Sequence, residues 1–158
     1  ELIIPHLIEI LKKFDNVKLT LVGFLPNLNT LSKYSNRINR ISFVDYINLQ
    51  FLIGSVDIHL IPLQSNFFTS CKSPLKIFEY MAAEKIIICS DLPVLQEVLN
   101  HEYNAILVKS DHIEGWRDAI INLINSKELQ NYISKNARKD LESRYTWEIR
   151  AKNILSAF

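Results

Sequence analysis

Apolar residues at Ile3, Leu7, Ile10, Leu11 and Phe14 recur at the spacing of an amphipathic helix, with Pro5 early enough for the helix to tolerate its missing N–H. A β-branched run over 17–22 (VKLTLV) then reads as a strand ending at Gly23, with turn residues and a short helix over 28–34 behind it. The alternation continues: a strand over 40–44 with a helix over 49–54, a strand over 57–62 with a helix over 74–83, and a strand over 85–89 with a helix over 93–99. A strand over 105–108 ends the series.

Strands that alternate with helices, and that read as nearly continuous apolar runs, predict a parallel sheet covered on both faces: an α/β, doubly wound fold. Beyond Val108 the pattern turns helical. Ile113, Trp116, Ala119, Ile120, Leu123 and Ile124 form one apolar stripe, and Leu129, Tyr132, Ile133, Ala137 and Leu141 form a second. A last helix is expected over 147–157. Trp116 and Trp147 both fall on apolar stripes and are expected in the core. With no linker, repeat or low-complexity tract, residues 1–158 read as one domain, of which 110–158 is a helical tail.

Composition narrows the function classes. The 158 residues carry 18 Lys and Arg against 17 Asp and Glu, so no global field draws the chain to nucleic acid or an anionic membrane, and any anion site must be local. Cys71 and Cys89 form neither a C-x-x-C nor a metal spacing, which fits a reducing, cytoplasmic setting. His6, His59, His101 and His112 are scattered without an i, i+4 pair, so no metal site is expected. The longest apolar stretch, 51–63, is interrupted by Asp57 and His59 and is too short to span a bilayer. No G-x-G-x-x-G and no G-x-x-x-x-G-K-[ST] is present, against a dinucleotide dehydrogenase or a P-loop NTPase.

The segment 70–91 (SCKSPLKIFEYMAAEKIIICSD) is the most informative. It leaves one strand as a loop and becomes a helix, with Ser73 the expected N-cap and Pro74 the first helical residue. Ligands of open parallel sheets bind beyond the carboxyl ends of the strands, where helix N-termini point N–H groups at anions. On this reading the first turn holds Lys76, is preceded by Lys72, and lacks an acidic residue. Cations there cost about 0.3–1 kcal/mol each, which a bound diphosphate would offset. The alternative is that Lys76 pairs with Glu79 one turn later, worth about 0.2–0.5 kcal/mol. Leu75, Phe78 and Ala82 are expected to face the core. Glu79 could then accept hydrogen bonds from a vicinal diol, or be a solvated helix-face carboxylate.

Residues 73–83 (SPLKIFEYMAA), Ser90-Asp91-Leu92-Pro93 and Gln96-Glu97-Val98 resemble the donor-binding half of retaining family 4 glycosyltransferases, which have the GT-B fold. The likeness extends to 104–108 (NAILV), Asn136-Ala137-Arg138, Arg144-Tyr145-Thr146-Trp147, Gly23 and the stretch 41–62, in family order and spacing. It implies a Rossmann-like domain that binds a nucleoside diphosphate sugar without a metal or other cofactor. Glu79 would hold the nucleotide ribose. Ser73, Pro74, Leu75 and Lys76 would form the phosphate loop, Lys76 and Glu79 acting on the donor, while Gly23 and Tyr46 would flank the base. The implied partner is an amino-terminal acceptor domain, through which any peripheral association with the inner face of the membrane would run; no nucleic acid is expected. The implied activity is hexosyl transfer in bacterial surface polysaccharide synthesis, for which this piece alone would be insufficient. A GT-B nucleotide-sugar epimerase and a non-catalytic nucleotide-binding or interaction module are the alternatives.

The sequence also departs from the family pattern. Cys71 stands eight positions before Glu79, where the family has a first Glu. Glu84, Val94, Ala105 and Asp45 replace turn glycines, so those loops must take ordinary dihedrals or carry strain. The family's first strand and its G-R-x-x-x-x-K-G loop have no counterpart. In a 3-2-1-4-5-6 sheet that strand is central, so its loss would expose two strand edges, and the natural chain is expected to extend upstream.

Overall fold

The computed structural model describes residues 3–24, 29–73, 75–109 and 112–157. Helix α1 (Ile4–Lys13) leads to strand β1 (Leu19–Val22), a 3-10 segment (Asn29–Arg37) and strand β2 (Ile38–Ile41). Helix α2 (Tyr46–Ser55), strand β3 (Ile58–Ile61), the short helices α3 (Phe67–Ser70) and α4 (Lys76–Ala82), and strand β4 (Ile86–Ser90) follow. Helix α5 (Pro93–Gln96), strand β5 (Ile106–Val108), helices α6 (Glu114–Asn125) and α7 (Lys127–Asp140), a π-helical stretch (Leu141–Tyr145) and helix α8 (Trp147–Leu155) complete the chain.

All named strand pairings are parallel, as the alternating pattern requires. The ladders form two pieces, β1-β2 and β3-β4-β5, and none joins β1 to β3 among the described residues.

Strand β4 is buried at every position, and alternation sends its residues to opposite cores. Ile86 and Ile88 join Ile106, Val108, Leu7 and Ile10 of α1, and Trp116, Ile120 and Leu123 of α6. Ile87 and Cys89 join Ile61, Ile77, Met81, Leu95, Leu99 and Ala137 on the other face. Burial on both faces explains why this strand reads as an unbroken apolar run.

Several sequence expectations are corrected. Strand β2 lies at Ile38–Ile41 rather than 40–44, because its register is set by pairing with β1 from Leu19↔Ile38 to Val22↔Ile41. Past Ile41 the chain is committed to Asp45, whose carboxylate accepts from the Asn48 N–H at 2.9 Å and starts α2 three residues early. Trp116 is buried as expected, but Trp147 is 74% exposed. It opens a helix with no buried residue, and the Arg150 guanidinium lies 5.7 Å from its ring centroid.

Helix α4 starts at Lys76, not at residue 74, because the Leu75 carbonyl takes its first bonds, from Phe78 N–H (3.0 Å) and Glu79 N–H (3.4 Å). Leu75 stands at the N-cap, and Ser73 makes no capping bond among the described residues. The buried face is Ile77 and Met81, one turn apart, whereas Leu75 and Ala82 are exposed and Phe78 is half-buried. Burial of these two side chains anchors the helix by about 1.5–3 kcal/mol each.

Candidate functional site

The segment between β3 and α4 is built from the carboxyl end of β3 outward. Ser90, 1% exposed at the end of β4, fastens its start: Ser90 Oγ accepts from Leu63 N–H at 2.8 Å and donates to the Leu63 carbonyl at 2.6 Å. The parallel ends of β3 and β4 are therefore tied by one hydroxyl. Next comes a reciprocal cap that the sequence reading missed. Asn66 Oδ1 accepts from Thr69 N–H at 2.9 Å, while Asn66 N–H donates to Thr69 Oγ1 at 3.1 Å. The signal was present as Asn66 three residues before Thr69, hidden by the shortness of α3. Thr69 is buried and its hydroxyl also donates to the Gln64 carbonyl, so the loop turns on this residue.

Cys71, Lys72 and Ser73 follow, all exposed. The Lys72 ammonium sits 4.6 Å from the centroid of the Phe68 ring, a cation–π contact that holds it over α3. Pro74 lies outside the described residues. Leu75 and Lys76 are exposed, and Glu79 is half-buried in the first turn of α4.

That first turn therefore does contain an acidic residue, because the helix begins two residues later than its sequence suggests. Glu79 itself complements the positive end of the helix dipole. Neither the proposed Lys76–Glu79 ion pair nor any side-chain hydrogen bond to Glu79 forms among the described residues. Lys76 and Glu79 thus stand on one short turn with their charged groups uncommitted.

Three contacts hold this turn from behind. The His59 ring, buried at the middle of β3, stacks on Tyr80 at 3.9 Å and 14° between planes. Its Nε2 meets the Ile53 carbonyl of α2 at 3.1 Å, which requires the Nε2–H tautomer. Burial, with a smaller contribution from the Lys85 charge, depresses its pKa to about 4, against the hydrogen bond to Ile53, which raises it. Burial and then the Glu79 charge push the neighbouring Tyr80 hydroxyl upward. Tyr145 packs on Phe78 with centroids 5.5 Å apart. Arg138 donates to the Ala82 carbonyl at the far end of α4 and pairs with Glu142 at 2.6 Å.

The carboxy-terminal motifs thereby gain structural roles. Asn136 donates to the Tyr103 carbonyl at 3.1 Å, Ala137 is fully buried, and Arg138 closes α4. Thr146 caps α8 by accepting from Ile149 N–H at 3.3 Å.

Gly23 and Tyr46 lie at the carboxyl ends of the other ladder piece, after β1 and β2. Gly23 has φ +107, a conformation that suits glycine, and a Cβ built there would meet nothing within 4 Å. Tyr46 is 68% exposed at the start of α2, which packs against α4. In chain order the described candidates thus follow parallel strands: Gly23 follows β1, Tyr46 follows β2, and Ser73, Leu75, Lys76 and Glu79 follow β3. Among the replaced glycines, Glu84 carries φ 53 and Asp45 the ordinary φ −68, while Glu102 has an unforeseen φ of 59. Among the described residues, no group of three or more His, Cys, Asp or Glu could hold a metal, and no helix is long and apolar enough to cross a membrane.

The profile of the family described as "Glycosyl transferases group 1" matches residues 2–140. The chain belongs to the group 1 glycosyltransferase family. Two relatives are uncharacterized glycosyltransferases of Methanocaldococcus jannaschii. MJ1607 is 26% identical over 166 residues, covering 98% of this chain and 41% of its own length. MJ1069 is 25% identical over 146 residues, covering 91% and 37%. The chain therefore spans about two fifths of the length of the curated relatives it matches.

Solved structures agree on the fold. The C-terminal domain of the group 1 glycosyltransferase LpcC from Francisella tularensis superposes with a TM-score of 0.73 at 19% identity, covering 90% of this chain and 76% of that one. Anabaena HepE, solved with UDP-glucose, gives 0.70 at 19% identity, with 98% and 45% covered. TarM gives 0.77 at 17% identity, with 97% and 31% covered. The domain of this group 1 glycosyltransferase chain is thus the GT-B C-terminal, Rossmann-like type.

Proposed function

We propose that this domain binds the nucleoside diphosphate sugar donor of a hexosyltransferase, with Glu79 on the ribose and the turn from Ser73 to Lys76 on the diphosphate. The observation that carries the reading is that a half-buried Glu79 and an exposed Lys76, neither with a side-chain partner among the described residues, share the first turn of the helix that follows β3. A carboxylate offers two oxygens to the two hydroxyls of a ribose, and an ammonium at the head of the turn offers charge to a departing diphosphate. Membership of the family supports transfer chemistry. The complexes of HepE with UDP and UDP-glucose support this class of donor.

On the same reading Gly23 leaves open space for the base and Tyr46 flanks it. A further parallel strand between β1 and β3 would complete the doubly wound order, and the acceptor would be held by an amino-terminal domain. Retention of anomeric configuration and a place in bacterial surface polysaccharide synthesis, on the cytoplasmic side of the membrane, follow the sequence resemblance alone.

The test is calorimetric titration of UDP, GDP and ADP into the full-length protein and its Glu79→Gln variant. One nucleotide should bind, and Glu79→Gln should weaken it by about 10- to 100-fold, the loss of a charged hydrogen-bond acceptor. Equal binding to both forms removes Glu79 from the site, and no binding of any nucleotide favours a non-catalytic module.

A further inference from the structure

Helix α4 is only seven residues long, so its placement rests on tertiary contacts more than on its own ladder of hydrogen bonds. Its buried residues are Ile77 and Met81. At about 100° of turn per residue, Glu79 lies midway between them on the opposite side of the helix, and Phe78 and Tyr80 flank it to either hand. Both flanking rings are held. Phe78 meets Tyr145 in a tilted contact, with centroids 5.5 Å apart and 49° between planes, whereas Tyr80 is stacked on His59 at 3.9 Å and 14°. Together these contacts fix the rotation of α4 about its own axis, and that rotation aims the Glu79 side chain.

His59 is the tighter of the two supports. It pairs in register with the fully buried Ile87, in the middle of the β3-β4 ladder. Its Nε2–H donates at 3.1 Å to the Ile53 carbonyl in the last turn of α2, a carbonyl whose other bond, from Val56 N–H, is 3.4 Å long. One ring therefore joins β3, α2 and α4. Packing alone would be served by an apolar side chain, as at Ile61, which lies two residues on and on the same face of the strand. An imidazole adds the donor that an apolar ring lacks, and burial, which depresses its pKa to about 4, keeps it neutral.

We propose that His59 is a positioning residue for Glu79: through Tyr80 it holds the carboxylate in the direction in which a nucleotide ribose is gripped, with α2 as its anchor. The inference rests on the donor-site reading above and adds to it a residue that acts through another.

The experiment is calorimetric titration of UDP, GDP and ADP into the full-length protein carrying His59→Phe or His59→Leu, each alone and combined with Glu79→Gln, with melting temperatures measured alongside. His59→Phe keeps a ring against Tyr80 and loses the bond to Ile53; His59→Leu loses both contacts. For the nucleotide that binds, the Kd should rise about 5-fold in His59→Phe and about 20-fold in His59→Leu, and in the Glu79→Gln background neither should add more than about 2-fold. Ile120→Val, which thins the core on the other face of the sheet, should lower the melting temperature with affinity unchanged. Should His59→Leu fail to fold, His59→Phe carries the test. Wild-type affinity in the His59 variants, a loss that is the same in both backgrounds, or an equal loss in Ile120→Val overturns the inference while leaving Glu79 in the site. Unchanged affinity in Glu79→Gln alone, or no binding of any nucleotide, overturns the donor-site reading and the inference with it.

Discussion

The imidazole of His59 lies flat against the ring of Tyr80, 3.9 Å away, and so joins the middle of β3 to the residue that follows Glu79. Because burial holds His59 neutral, with a pKa of about 4 against 6.5 when exposed, the folded state binds fewer protons than the unfolded state in this window. The stability it contributes is complete above pH 6.5 and is lost as pH falls towards 4. At 1.36 kcal/mol per unit the loss reaches about 3 kcal/mol. Urea unfolding at pH 7 and pH 4 should show this loss in the wild type. His59→Phe, which retains a ring on Tyr80 but does not titrate, should lack most of it; an equal loss in both proteins would exclude His59 as its source.

The fully buried Asn104 donates to Asp140 Oδ2 at 2.8 Å and to the Val98 carbonyl at 3.2 Å, and its own oxygen accepts from Asn100 N–H at 2.7 Å. Asn104→Ala strands the buried Asp140 and frees the turn that precedes β5. A loss of roughly 1.5–3 kcal/mol is expected from denaturant titration, in keeping with a hydrogen bond to a charged group. A loss under about 0.5 kcal/mol, the level of an ordinary surface substitution, would show that the turn does not depend on this network.

Glu84 occupies the left-handed region at φ 53, on an exposed turn after α4. Glu84→Gly removes the clash of a Cβ in that conformation and should stabilise the protein by about 1 kcal/mol, raising the melting temperature by about 2–4 °C. Calorimetry that finds the variant less stable would mean that the entropy glycine adds to the unfolded chain outweighs the relief.

Ser90→Ala removes both hydroxyl contacts to Leu63 and leaves its N–H without that partner. A cost of about 1–3 kcal/mol is expected. The consequence should be local: limited proteolysis should cut the 62–75 segment faster while the helical tail stays protected. Uniform acceleration across the chain would instead indicate global destabilisation.

The strand-helix alternation was legible because each buried strand has a simple apolar signature, as in Ile86 to Cys89, where neither face meets water. The candidate site was read from the sequence for a different reason: the wording around Lys76 and Glu79 resembles that of a family whose members share one chain order. What misled was phase. Phe43 and Val44 have strand-forming side chains, yet pairing with β1 ends the ladder at Ile41 and the Asp45 cap takes over. Ser73 is a better N-cap than Leu75 by residue type, yet the Leu75 carbonyl receives the first helical bonds. Trp147 continues an apolar spacing, yet it is exposed.

From the amino-acid order alone came the parallel α/β class, the β4 core, the helical tail and the family, all properties of local spacing and residue identity. Only the tertiary structure decided that Glu79 belongs to the first turn of α4, that Lys76 does not pair with it, that β1 and β3 share no ladder, and that His59 ties α2 to α4. Those are relations between segments, set by which hydrogen bonds and contacts win once the chain is compact, and no single window of sequence contains both partners.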